Sequence, residues 1–220
     1  MRLLLIRHGQ TSSNVLGLLD TAAPGAALTV LGAEQASAIP GALEGHPVDL
    51  IAVSTLIRTQ LTAGPLAAAR GLTPLIRDGI REISAGRSEM SGELAAVQAY
   101  LSVMGRWMDG NLDEMVPGGE GGHAVLGRFD AVVAEIADTG ATSGVLFSHG
   151  AVIRVWTALR CRNLSADFGR ANRLGNTGIA VLEGDPESGW IAAEWMGTAI
   201  GGPRLDAPAA DGPSAGGRAY

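Results

Sequence analysis

Two triplets carry the residues best suited to chemistry: Arg7-His8-Gly9 in MRLLLIRHGQTSSN and Ser148-His149-Gly150 in GVLFSHGAVIR. Each ends an apolar run, so two neighbouring strands would bring His8 and His149 together at one edge of a sheet. An arginine fork matches phosphate oxygens in shape and stays charged. Arg7 stands beside His8, and Arg58 in VSTLIRTQLTA follows the next apolar run. Two such cations can neutralise a phosphoryl dianion. They also disfavour a further positive charge nearby, which keeps an imidazole neutral and nucleophilic. His8 is therefore the candidate to attack phosphorus, and His149 to hydrogen-bond the oxygens of the group in transfer. The departing alkoxide needs a proton. Glu82 in REISAG is the carboxyl best placed to give it, with Glu89 as the fallback.

The elements that must hold these residues follow from periodicity. The continuous Leu/Ile run up to Arg7 reads as a buried parallel strand. A helix is expected over 29–43, with Thr29 as its N-cap and Pro40 ending or kinking it. A short strand at 49–53 and a helix at 57–70 follow, then a weak strand at 73–76. The stretch GIREISAGRSEMSG is too rich in Gly and Ser for one regular element and is expected to face a site. Helices at 93–109 and 121–138 flank the PGGEGG turn. A strand at 144–147 delivers the second triplet, a helix runs on to 159, and strands at 177–183 and 190–195 form a terminal pair. Strands alternating with helices predict a three-layer α/β/α sandwich around a mostly parallel sheet, with ligands beyond the carboxyl ends of the strands. The expected domain spans 1–200, followed by a Pro/Gly/Ala-rich tail at 201–220 without a core of its own.

Composition narrows the chemistry. The chain has 220 residues, 46% of them hydrophobic, enough for one large core, and no apolar run approaches a membrane span. Its 16 basic residues are all arginine. The absence of lysine removes Schiff-base, P-loop and kinase-type chemistry and fits codon bias in a high-GC bacterial genome. A net charge of −6 opposes nucleic acid and anionic membranes, so a bound anion must be caught by local arginines. Cys161 is the lone cysteine, which fits a reducing cytoplasmic setting, and the short N-terminal apolar run does not suit an export signal. The expected partner is a small phosphorylated substrate, with a homodimer left open and no nucleic acid, membrane or cofactor.

RHGQT with Asn14, LTVLGAEQA, VSTLIRTQLTA, REISAG, PGGEGG and FSHGAVIR, in that order, resemble the histidine phosphatase superfamily in its phosphoglycerate mutase-like branch. The resemblance covers most of residues 2–183. It implies that His8 is the phosphorylated nucleophile, that Arg7, Arg58 and His149 complete the phosphate pocket, that Glu82 is the proton donor, and that Asn14 and Gln10 line the phosphate side. Mutases of this fold carry a Glu-Arg-His-Tyr-Gly stretch and a basic insertion around the acid. Here that region reads REISAGRSEMSG, which implies a phosphomonoesterase rather than a mutase. Two alternatives stay open at this level: mutase-type phosphoryl transfer, and a non-catalytic binder of phosphorylated ligands. A metal site built from the two histidines and a carboxylate is disfavoured because flanking arginines repel a dication. His46 and His123 lack such a context, and Trp107, Trp156, Trp190 and Trp195 read as core or interface aromatics.

Overall fold

The structure, a computed structural model, describes residues 1–217. Strands β1 (Arg2–Arg7), β2 (Leu50–Val53), β3 (Leu75–Ile76), β4 (Ser143–Ser148), β5 (Ile179–Asp185) and β6 (Gly189–Met196) form one sheet in the order β3-β2-β4-β1-β5-β6. The first four are parallel; β5 runs against β1, and β6 against β5. The helices are α1 (Ser12–Leu16), α2 (Val30–Ala42), α3 (Ile57–Arg70), α4 (Leu94–Met108), α5 (Gly122–Asp138), α6 (Gly150–Arg160) and α7 (Ala166–Ala171).

β1 shows why its sequence does not alternate between apolar and polar. Leu3 and Leu5 enter the core that contains residues of α4, α5 and α6, while Leu4 and Ile6 enter the opposite core against α2 and α3. A strand covered on both faces must be apolar at every position. The three expected layers follow from this, and Trp107, Trp156 and Trp190 are buried in the first core. Cys161 is buried and free, and burial pushes its thiol up to about 12. Among the described residues, no helix is long and apolar enough to cross a membrane.

Two expectations are revised. Thr29 caps α2 by accepting from the Gly32 N–H, but the helix runs through Pro40 to Ala42. Pro40 falls in the last turn, so its missing N–H removes a single helical bond near an end that already frays. The 201–217 stretch, read as a tail without a core, instead packs onto the domain through three short 3-10 turns at Pro203–Leu205, Pro208–Ala210 and Pro213–Ala215. Buried side chains grip its carbonyls: Gln35 Nε2 donates to Leu205 O at 2.7 Å and Arg7 Nη2 to Asp211 O at 2.5 Å. Arg173 adds ion pairs to Asp206 and Asp211. Residues 218–220 of the expected tail lie outside the described residues.

Candidate active site

β1 and β4 are neighbours in register, with Arg7 opposite Ser148, so both triplets leave the same edge of the sheet. The His8 and His149 ring centroids are 5.2 Å apart. His8 Nδ1 lies 2.8 Å from Gly9 O, and because a carbonyl only accepts, Nδ1 carries the proton. The Nε2 lone pair is left for chemistry. Burial, then Arg58, then Arg7 hold the His8 pKa well below 6.5, so the ring is neutral. The turn is braced from both sides: Thr62 accepts from the Gly9 N–H at 2.9 Å, and the Gln35 side chain from the Gln10 N–H at 2.8 Å. A Cβ on Gly9 would come within 2.7 Å of Gly32 O, so α2 can approach this closely only where glycine stands.

Both arginines are fixed before any ligand arrives. Arg7 spans two carbonyls, Leu174 O at 2.9 Å and Asp211 O at 2.5 Å. Its burial lowers the guanidinium from 12.5 to about 10, against the pull of Asp211 and Glu82, which leaves it charged at neutral pH. Arg58 donates from Nη2 to Asp20 O at 2.8 Å, and its Nη1 stands 3.6 Å from Asp20 Oδ1. Arg7 Nε and Arg58 Nη1 are buried and have no hydrogen-bond acceptor among the described residues. Such donors are costly unless an anion completes them.

His149 is differently engaged from the expectation that it meets phosphate oxygens. Its Nδ1 faces Arg58 Nε at 3.3 Å, and since guanidinium only donates, Nδ1 is the acceptor. Nε2 then donates to Ser54 Oγ at 2.8 Å, and Ser54 continues to Thr59 Oγ1 at 3.0 Å. Burial and Arg58 push the His149 pKa well below 6.5.

The two carboxylates separate clearly. Glu82 is buried and lines a cavity of about 10 Å³ with His8, Asn14, Asp20, Arg58, Tyr100 and Ser214. Its oxygens accept from the Ile83, Ala151 and Val152 N–H groups at 3.0–3.1 Å, the last two at the α6 N-terminus. Glu89 instead accepts from the Thr21 hydroxyl and the Thr21 and Ala22 N–H groups, tying down the loop before α2. Asn14 lines the cavity and Gln10 does not: its amide meets the Thr29 hydroxyl at 2.9 Å and Ala210 O at 3.5 Å. Sequence reasoning missed Asp20, Ser54, Tyr100 and Asn176. Asn176 Nδ2 bridges His8 O and Asn14 Oδ1, each at 3.1 Å.

The profile of the histidine phosphatase superfamily (branch 1) matches residues 3–196. The chain belongs to this superfamily. Its relatives include a PE-PGRS family protein of Mycobacterium tuberculosis, 34% identical over 212 residues, covering 89% of this chain and 36% of that protein. This histidine phosphatase superfamily member thus spans about a third of that relative. The adenosylcobalamin/alpha-ribazole phosphatase of Escherichia coli is 31% identical over 159 residues, 72% of this chain and 78% of its own length. The solved structure of mycobacterial glucosyl-3-phosphoglycerate phosphatase superposes with a TM-score of 0.74 at 26% identity, covering 90% of this chain and 99% of the other.

The neutral histidines carry a stability signature for this superfamily member. Unfolded, each protonates near 6.5; folded, each resists to well below that value. Below about pH 6.5 the unfolded chain therefore binds more protons, and the contribution, complete above that pH, is lost as pH falls. The expected fall in unfolding free energy is up to about 1.4 kcal/mol per pH unit for each ring. Urea unfolding across the range from neutral to mildly acidic pH reads this slope. His149→Gln should flatten it, and an equal slope in that variant would contradict the assignment.

Proposed function

We propose that the chain is a metal-independent phosphomonoesterase acting on a small phosphorylated metabolite through a phosphohistidine. The observation that carries this reading is a neutral His8 with Nε2 unengaged, beside two arginines that each hold a buried N–H donor without an acceptor. A phosphoryl dianion would satisfy both donors. His8 Nε2 attacks phosphorus as the ester P–O bond breaks, and Glu82 passes a proton to the leaving oxygen after turning one carboxyl oxygen away from the α6 amides. Water then attacks the phosphohistidine, Glu82 takes a proton from it, and inorganic phosphate leaves with His8 restored. Arg7 and Arg58 balance charge throughout, and His149 holds the Arg58 fork in line.

Arginines do here what a divalent cation does in other phosphatases. Activity is therefore expected to be unchanged in excess chelator; loss restored by one particular divalent ion would sink that expectation. The buried, unpaired Cys161 suits a cytoplasmic setting.

A phosphatase is preferred to a mutase. A mutase must protect its phosphohistidine from water and return the group to a reoriented intermediate, which calls for further cations on the substrate. Arg58 is the one basic residue among those lining the described phosphate cavity and its neighbouring cleft, with Arg7 behind. The test follows labelled 3-phosphoglycerate with and without bisphosphoglycerate. Phosphate release from monoesters without isomerisation is expected, and 2-phosphoglycerate appearing faster than free phosphate would overturn the reading.

A further inference from the structure

The phosphate cavity, with about 10 Å³ of water-accessible space, is far too small for a whole ester, so the rest of a substrate must lie elsewhere. Beside it is a cleft with a water-accessible volume of about 250 Å³, and the two share Asn14. Its walls are Val15 and Leu16 of α1, Leu94 and Val97 of α4, and Ala209 and Pro213 of the C-terminal segment. Among the described residues, no charged side chain lines it. Val15, Leu16 and Leu94 are all more than half exposed, an unusual density of apolar surface unless something covers it.

The direction of the cleft fits the chemistry. Leu94, Val97 and Tyr100 are spaced three apart on α4 and so share one face of that helix. Leu94 and Val97 line the cleft, and Tyr100 lines the phosphate cavity beside Glu82. The track therefore leads to the carboxyl that must reach the leaving oxygen. A second opening shares Leu18 and Asp20 with the phosphate cavity, but it carries the carboxylates Asp20 and Glu89. The far wall depends on Gly212, whose φ is +76° and where a Cβ would come within 2.8 Å of Asn14 Nδ2.

Resting on the phosphatase reading, we propose that this cleft holds the alcohol portion of the substrate and selects monoesters with a compact, uncharged, apolar body. A second phosphate or a carboxylate would lie in an uncharged cleft, with Arg7 and Arg58 both taken by the first phosphate and Asp20 and Glu82 nearby. Desolvating that second anion without a partner is unfavourable.

The experiment compares kcat/KM for benzyl phosphate and 3-phosphoglycerate, both esters of primary alcohols, in the wild-type chain and in Leu94→Arg and Leu16→Arg. Both substitutions fall on exposed side chains, so the fold has no reason to suffer. Wild type should favour benzyl phosphate by at least about tenfold. Each arginine variant should shift the ratio toward 3-phosphoglycerate by about tenfold, chiefly through KM. Equal use of the two esters by wild type, or an unmoved ratio in both variants, would overturn the proposal while leaving the phosphatase reading intact. Phosphate release from neither ester, nor from nitrophenyl phosphate, would overturn both.

Discussion

We expect His8→Ala to lower kcat for phosphomonoesters by a factor on the order of 10⁵, the scale seen when a covalent nucleophile is removed from an otherwise intact site. Rapid quench of the wild-type chain with labelled ester should yield an acid-labile, alkali-stable phosphoprotein, and the variant should yield none. The expectation is large because nothing nearby can substitute. In the resting site His149 uses one nitrogen on Arg58 and the other on Ser54, and its ring lies 5.2 Å from His8. The fold should survive the change, since the His8 side chain bonds only to the carbonyl of the adjacent Gly9. The arginine fork also stays assembled, because Arg7 is held by Leu174 O and Asp211 O and Arg58 by Asp20. The variant should therefore still bind inorganic phosphate. Normal turnover in His8→Ala, or a stable adduct on another side chain, would end the covalent mechanism proposed here.

Glu82→Gln separates substrates by their leaving groups. An alkyl alkoxide needs its proton in the transition state, whereas nitrophenolate leaves well without one. The expected loss is roughly 10²–10⁴ on alkyl phosphates and far smaller on nitrophenyl phosphate. The variant can keep its amide oxygen on the Ile83 and Val152 N–H groups, but its N–H₂ then faces the Ala151 N–H donor, which should reduce stability by about 1–3 kcal/mol. The substrate ratio is the decisive reading because a folding defect lowers both rates together. Equal losses on the two substrates would remove Glu82 as the acid. Glu89→Gln should instead disturb binding through the loop that holds Thr21.

The parts of this site that were legible lie where a local signal coincides with a strand end. The apolar run before Arg7 and the one before Ser148 announce β1 and β4, and their pairing in register brings the histidines together. The α3 helix begins and ends at the residues its pattern predicts, Ile57 and Arg70, and its Ser54-to-Thr62 motif is explained contact by contact, Thr62 on Gly9 and Ser54 on His149. Gln10 is ambiguous by type, which suits phosphate binding as well as it suits Thr29, and only geometry separates the two. The short α1 went unread although Thr11 and Asn14 form a reciprocal capping box that marks its start. Asp20, Asn176 and Asp211 had no readable signal. They act through backbone carbonyls or through partners far along the chain, and a carbonyl acceptor leaves no trace in residue type.

The fork of Arg7 joins positions separated by 167 and 204 residues along the chain. Contacts of such separation form late, because closing long loops is slow and domains emerge from the ribosome N-terminal end first. A nascent chain that has exposed β1 to β5 but still hides Asp211 in the exit tunnel already contains both histidines and Glu82, yet Arg7 lacks one of its two anchors. Until that anchor emerges, the guanidinium beside His8 is held from one side, by Leu174 O. One anchor of the arginine beside His8 lies 204 residues further along the chain, so the pocket is completed only after the rest of the domain is in place.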